Sequence, residues 1–123
     1  MRQMREVPEK ITPKNDDGYF EELTKAIFRA GFSWPVIRQK WEKFRIGFDQ
    51  FNVAKVASYG GEEITRLFND ASIVRNRRKI VNTVDNAQTF LELVKGYGSF
   101  REYLRSLDHL LYYDRVKELT ALF

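Results

Sequence analysis

An all-α fold is predicted by three features of this 123-residue chain. Apolar residues recur at spacings of three and four in one segment after another, which gathers them on one face of a helix. Helix-starting Asp and Ser residues and helix-stopping glycines punctuate those segments. No stretch alternates apolar and polar residues as a half-buried strand does, and no internal repeat or low-complexity tract is present.

Residues 1–15 hold two prolines, many charges and no apolar period, so they are predicted to form an extended N-terminal arm on one helical domain of residues 16–123. Asp16 or Asp17 is expected to cap a first helix with Phe20, Leu23, Ile27 and Ala30 on one face and Gly31 at its end. Ser33 is the expected cap of a second, whose stripe is Trp34, Ile37, Trp41, Phe44 and Phe48; Pro35 is tolerated in its first turn. Two short helices are predicted, around Val53 to Ser58 and Gly61 to Asn69. A long one follows with Ile80, Val84, Ala87, Leu91 and Val94 as its stripe, stopped by "GYGS" at Gly96 to Ser99. Ser99 then caps a short helix containing Tyr103 and Leu104, and the last helix runs from about Tyr112. Its apolar face, Val116, Leu119, Leu122 and Phe123, needs a cover: a further segment, a second copy in self-association, or the domain's own core.

The length fits one domain with one core. With 43% apolar and 31% charged residues the composition is that of a soluble globular protein. No apolar run approaches the roughly 20 residues that cross a bilayer, and the start MRQMREVPEK lacks a signal-peptide core, so no membrane partner and a cytoplasmic location are expected, beside the nucleoid if the source is bacterial. Cysteine is absent and His109 is the only histidine. These counts exclude a disulfide framework and a Cys/His zinc site built from this chain, and no metal or other cofactor is expected. A phosphate-binding Gly-rich loop, a nucleophile elbow and a zinc-deaminase residue set are all missing, so no catalytic residue is assigned.

Two stretches carry chemistry. Arg75, Arg77, Arg78 and Lys79 put four cations into five positions, a pattern suited to a phosphate backbone, an acidic partner or simple solvation at a helix start. "GFSWPVIRQKWEKF", Gly31 to Phe44, holds both tryptophans. Phe32 and Trp34, separated by the small Ser33, sit where one helix turns into the next; one aromatic there can act as a wedge and the other as a wall for an unstacked base, or both can fill the core. Glu22, one turn before Ala26, would face such a pocket or face solvent.

The segments "YFEELTKAIFRAGFSW" (Tyr19 to Trp34), "FDQFNVAKVASYGGEEITRLFNDASIVRNRRKI" (Phe48 to Ile80) and "NAQTFLEL" (Asn86 to Leu93) together resemble the DNA-3-methyladenine glycosylase I family, collinearly over about Tyr19 to Leu104. The resemblance implies a helix-hairpin-helix glycosylase fold and hydrolysis of the N-glycosidic bond of 3-methyladenine in alkylated DNA, with damaged duplex DNA as the partner. It puts the family's pocket tryptophan at Trp34 and its duplex-plugging residue at Phe32, with Ser33 beside it. The methylated base is a charged, good leaving group, so extrusion and stacking carry much of the work. Arg75, Arg78 and Lys79 would meet phosphates, whereas Arg77, between Ile73 and Ile80, is expected on the buried stripe in an internal ion pair or carbonyl contact.

Departures from the family pattern qualify the expectation. Ala26 stands where the family has a base-recognising Glu, leaving Glu22 as the substitute contact. The zinc-binding Cys/His set is not found, and the Gly-rich hairpin region that grips DNA is expected to be missing beyond Phe123. Two other readings therefore stand beside the enzyme: a non-catalytic binder of damaged DNA, and a helical protein-interaction module using the C-terminal apolar face.

Overall fold

The structure, a computed structural model, describes residues 15–31, 33–110 and 112–123. They form seven α-helices and no strand: α1 (Asp16–Gly31), α2 (Trp34–Gly47), α3 (Val53–Ala57), α4 (Gly61–Phe68), α5 (Arg77–Tyr97), α6 (Phe100–Ser106) and α7 (Tyr112–Leu122). The expected arm lies outside the described residues except for Asn15. That residue caps α1 in place of the expected aspartates: the Gly18 amide donates to Asn15 Oδ1 at 2.8 Å.

Asp16 and Asp17 are thereby released for other helices. The Phe100 amide, first in α6, donates to Asp16 Oδ1 at 2.9 Å, and the Val53 amide, first in α3, donates to Asp17 Oδ1 at 3.0 Å. Both amides are orphan donors that no intrahelical carbonyl reaches. The starts of three helices thus converge on residues 15–17.

The buried row of α1 is Phe20, Thr24 and Phe28 rather than the expected Phe20, Leu23, Ile27 and Ala30. Thr24 tolerates burial because its hydroxyl donates to the Phe20 carbonyl at 2.9 Å. Leu23 and Ile27 are half-buried toward α7, and Ala30 is exposed. In α2, Ile37, Trp41 and Phe44 are buried as the spacing predicts, and Phe48 follows them into the core. Gly47 gives α4 room: a Cβ there would lie 3.1 Å from a Leu67 methyl.

Between α2 and α3 the chain takes a turn that the apolar periodicity does not announce. Asp49, Gln50 and Phe51 have φ of 55°, 59° and 57°, three left-handed residues without a glycine. Each costs about 1–2 kcal/mol relative to right-handed backbone. Packing offsets this. The turn seats the Phe51 ring 5.2 Å from Trp41, 5.5 Å from Phe48 and 6.1 Å from Phe20. It is further tied by the Tyr59 hydroxyl, which donates to Asp49 Oδ2 at 2.5 Å, and by Arg45 Nε, which donates to Gln50 Oε1 at 3.3 Å. Burial, reinforced by Asp49, pushes the Tyr59 phenol pKa well above its ordinary value, so the hydroxyl remains a donor.

The short helices form as expected. Asn52 caps α3 through the Lys55 amide (3.0 Å), and Glu63 reaches back to the Gly60 amide (2.7 Å) to start α4. The long α5 begins with Asn76 accepting from the Lys79 amide (3.0 Å). It packs against α1, α3, α4 and α6. Its buried residues include Thr83, Asn86 and Phe90 beside the expected Ile80, Val84 and Ala87, while Leu91 and Val94 are only half-buried. Gly98, at φ 93°, ends it by donating its amide to Val94 at 2.7 Å. Ser99 caps α6 through the Glu102 amide.

The aromatic core continues from Phe20 to Phe90 (5.7 Å) and on to Phe100 (4.1 Å). Here the apolar face of α7 divides. Leu119 and Phe123 pack on the core, with the Phe123 ring 6.3 Å from Phe100, whereas Val116 and Leu122 remain 41% and 39% exposed.

The left-handed turn makes a signed prediction. Gln50→Gly and Gln50→Ala both lose the Arg45 contact, but only glycine removes the steric cost of positive φ. The glycine variant should be the more stable by about 1 kcal/mol, the reverse of the order in an ordinary helix. Urea unfolding of the pair reads the sign directly.

Candidate nucleic-acid interface

The two tryptophans of α2 have different surroundings. Trp41 is 7% exposed, and its indole Nε1 donates to Glu21 Oε2 at 2.8 Å. Arg45 stands 3.8 Å from the same carboxylate, and the Lys25 ammonium lies 5.7 Å from the Trp41 ring centre. Trp41 is therefore a satisfied core residue. Trp34, at the first position of α2, is only half-buried: it packs against the core and carries the Arg29 guanidinium 5.0 Å from its ring centre. The geometry is regular. Lys25 and Arg29, one turn apart on α1, lie over Trp41 and Trp34, two turns apart on α2.

Ser33 occupies the cap position of α2 and its carbonyl accepts from the Ile37 amide at 3.1 Å, but its hydroxyl makes no capping hydrogen bond, contrary to expectation. The side chain is exposed at the turn. Phe32 lies outside the described residues. Ala26 is exposed on α1, with exposed Arg29 three positions on.

Glu22 is brought to a different place from Trp34. Its side chain is 48% exposed, pairs with Lys25 at 3.3 Å, and lines a cleft of about 440 Å³ with Tyr19, Leu23, Phe100, Leu119 and Phe123. Trp34 is not among that cleft's walls. The cleft was invisible in the local pattern because α1, α6 and α7 build it together.

At the start of α5, Arg75 and Arg78 are exposed as expected. Arg77 is not on a buried stripe. Ile73 precedes the helix, so its distance in sequence from Ile80 is not a helical spacing; Arg77 emerges to solvent and lies 5.8 Å from the Phe68 ring centre. The internal carbonyl contact belongs instead to Lys79, whose ammonium donates to the Ile27 carbonyl at 2.9 Å. Lys79 is thereby drawn inward, away from the phosphate role expected of it. The first turn of α5 contains no acidic residue. Cations at a helix N-terminus oppose the macrodipole, an arrangement that an anion bound there would offset. His109 is exposed in the loop after α6, and among the described residues no group of three or more His, Cys, Asp or Glu is placed to hold a metal.

With this geometry established, residues 10–120 match the methyladenine glycosylase family. The chain belongs to that family. DNA-3-methyladenine glycosylase 1 of Escherichia coli (strain K12) is 34% identical over 100 residues, covering 81% of this chain and 51% of the relative. Among solved structures, 3-methyladenine DNA glycosylase I (TAG) from Staphylococcus aureus superimposes with a TM-score of 0.70 at 34% identity, covering 75% of this chain and 49% of that one. A variant of 3-methyladenine DNA glycosylase I in complex with 3-methyladenine gives the same TM-score of 0.70 over 75% of this chain and 50% of that chain. The all-helical glycosylase fold is thus shared, while the chain spans about half the length of these relatives. Within the glycosylase family's fold, the last turns of α1 and the start of α5 are joined here through Lys79.

That join is testable. Lys79→Ala should cost about 1–3 kcal/mol of stability, since a charged donor to a partly buried carbonyl is lost. Arg77→Ala should cost about 0.5–1 kcal/mol, the scale of an exposed cation–π contact. Denaturant unfolding of the two variants distinguishes the assignments; the opposite order would restore Arg77 as the internal cation.

Proposed function

We propose that this chain acts on alkylated DNA as a glycosylase, releasing 3-methyladenine by hydrolysis of its N-glycosidic bond once the base has been turned out of the duplex. One observation carries the reading: the Lys79 ammonium on the Ile27 carbonyl seats the cation-rich start of α5 against the end of α1, beside the turn that bears Ser33 and Trp34. On this reading the surface for phosphates and the surface for a flipped base both lie toward the last turns of α1.

In this mechanism Arg75 and Arg78 bind the backbone around the lesion, and the positive end of α5 reinforces them. The turn enters the duplex, with Phe32 assigned to the vacated space and Ser33 giving the wedge room. Trp34, half-buried and supported by the core beneath it, receives the base on its ring. Loss of the base's positive charge supplies much of the driving force, which suits a site with no assigned general acid. Glu22 keeps its assignment as a contact to the base only if it leaves Lys25, a rearrangement that Ala26 does not obstruct.

A second reading is favoured by the same carboxylate. Glu22 is paired and lines a separate cleft from Trp34, and Ala26 offers no polar group, so recognition of a lesion without turnover also fits. Self-association through the exposed Val116 and Leu122 of α7 is a further proposal, read by the oligomeric state in solution.

Release of 3-methyladenine from methylated duplex DNA tests the leading reading. Trp34→Ala should lower the rate by about 5- to 150-fold, the equivalent of the roughly 1–3 kcal/mol of a stacked base, with Trp34→Phe intermediate. Undetectable release by the wild-type chain, together with tight binding to an abasic-site duplex, would establish the binder instead. In the same binding assay, Arg75→Ala with Arg78→Ala should lessen the log–log salt slope by about 2. An unchanged slope removes both residues from the interface.

A further inference from the structure

The Arg29 guanidinium lies 5.0 Å from the centre of the Trp34 ring, the ring assigned to the flipped base. Among the described residues no carboxylate pairs with it. Glu22 is held by Lys25 at 3.3 Å, and Glu21 is held by the Trp41 indole at 2.8 Å and by Arg45 at 3.8 Å. Ala26 and Ala30, its exposed neighbours on α1, are neutral. The ring face of Trp34 therefore carries an uncompensated positive charge, although the methylated base expected there is itself a cation.

The conflict disappears when the charge is followed through the reaction. As the C1′–N9 bond breaks, its electron pair stays on the purine and cancels the ring's positive charge. The deoxyribose becomes the oxocarbenium ion; water then adds to C1′ and loses a proton to solvent, leaving an abasic sugar and neutral base. A fixed cation beside the purine thus opposes the starting state and ceases to oppose the state in which the charge has moved to the sugar. Only such differential interaction accelerates a chemical step.

We infer that Arg29, held over Trp34, is an electrostatic specificity determinant that disfavours a base while it is cationic and favours the same base once its charge has departed. This rests on the glycosylase reading and adds to it a group acting on the leaving base. Arg29 is exposed, so the effect is moderated by solvent and falls as salt screens it.

The experiment uses the full chain with Arg29→Gln, which removes the charge, and Arg29→Lys, which retains it. Tryptophan fluorescence at neutral pH follows the binding of two bases, neutral 3-methyladenine and cationic 3,9-dimethyladeninium; single-turnover base release from methylated duplex is measured alongside. The wild type is expected to prefer the neutral base, the Gln variant to narrow that preference about tenfold and release base about tenfold more slowly, and the Lys variant to resemble the wild type in both. These differences should shrink with rising salt. Equal preference or equal release in the wild type and the Gln variant, or a wild type that prefers the cation, overturns the inference. Absence of release by the wild-type chain overturns the glycosylase reading instead, and the preference between the two free bases then decides the role of Arg29 by itself.

Discussion

Two aspartate carboxylates near the start of the first helix hold the fold together. Asp16 and Asp17 accept the first amides of α6 and α3, while Asn15 caps the helix to which they belong. Each bond satisfies a donor that would otherwise be left at the edge of the core, and each uses a charged acceptor, the stronger kind of hydrogen bond. The acids also lie at the positive end of α1 and complement its dipole. With the starts of three helices pinned, the aromatic rings between them have a fixed frame: Phe20 stands between Phe51 on one side and Phe90 on the other. Phe100 follows Asp16's contact directly into that stack.

The left-handed turn at Asp49 to Phe51 depends on the same frame. Its backbone is locally unfavourable, yet it turns Phe51 toward both Trp41 and Phe20 and so joins the α1–α2 pair to the rest of the core. Tyr59 and Arg45 fasten its two polar side chains from either flank. Uncompensated charge and half-buried aromatic surface are left at the opposite end of α1, at the Trp34 turn and the start of α5. Stability resides in the aromatic interior, and the exposed chemistry is gathered where α1 ends.

Much of this was legible because it is local. Apolar spacing and cap residues located α1 through α7 nearly to their ends, since a helix face and a Ser99 or Gly98 terminus are set within a few residues. The positive-φ turn was not legible, because "DQF" has no glycine and is held by partners elsewhere. For the same reason Asp16 and Asp17 read as caps of their own helix, when their acceptors serve amides distant in sequence. At the candidate site, the contrast between Trp34 and Trp41 was within the pattern's reach only as a question; Glu21, which answers it for Trp41, had not been singled out. The internal carbonyl contact falls to Lys79 and not to Arg77 because Ile73 precedes the helix, so the interval from Ile73 to Ile80 is not a helical spacing. Glu22 went to a cleft whose other walls come from α6 and α7.

The Lys79 bridge has a geometrical consequence. The ammonium on the Ile27 carbonyl links the start of α5, which carries Arg78 and follows Arg75, to the last turns of α1, whose Arg29 lies over the Trp34 ring. A nucleotide that swings out of a duplex keeps its tether to the phosphates on either side. On the proposed reading the protein behaves as a calliper: one jaw is an aromatic plane, the other a pair of cations, and Lys79 ties together helices that stand behind them.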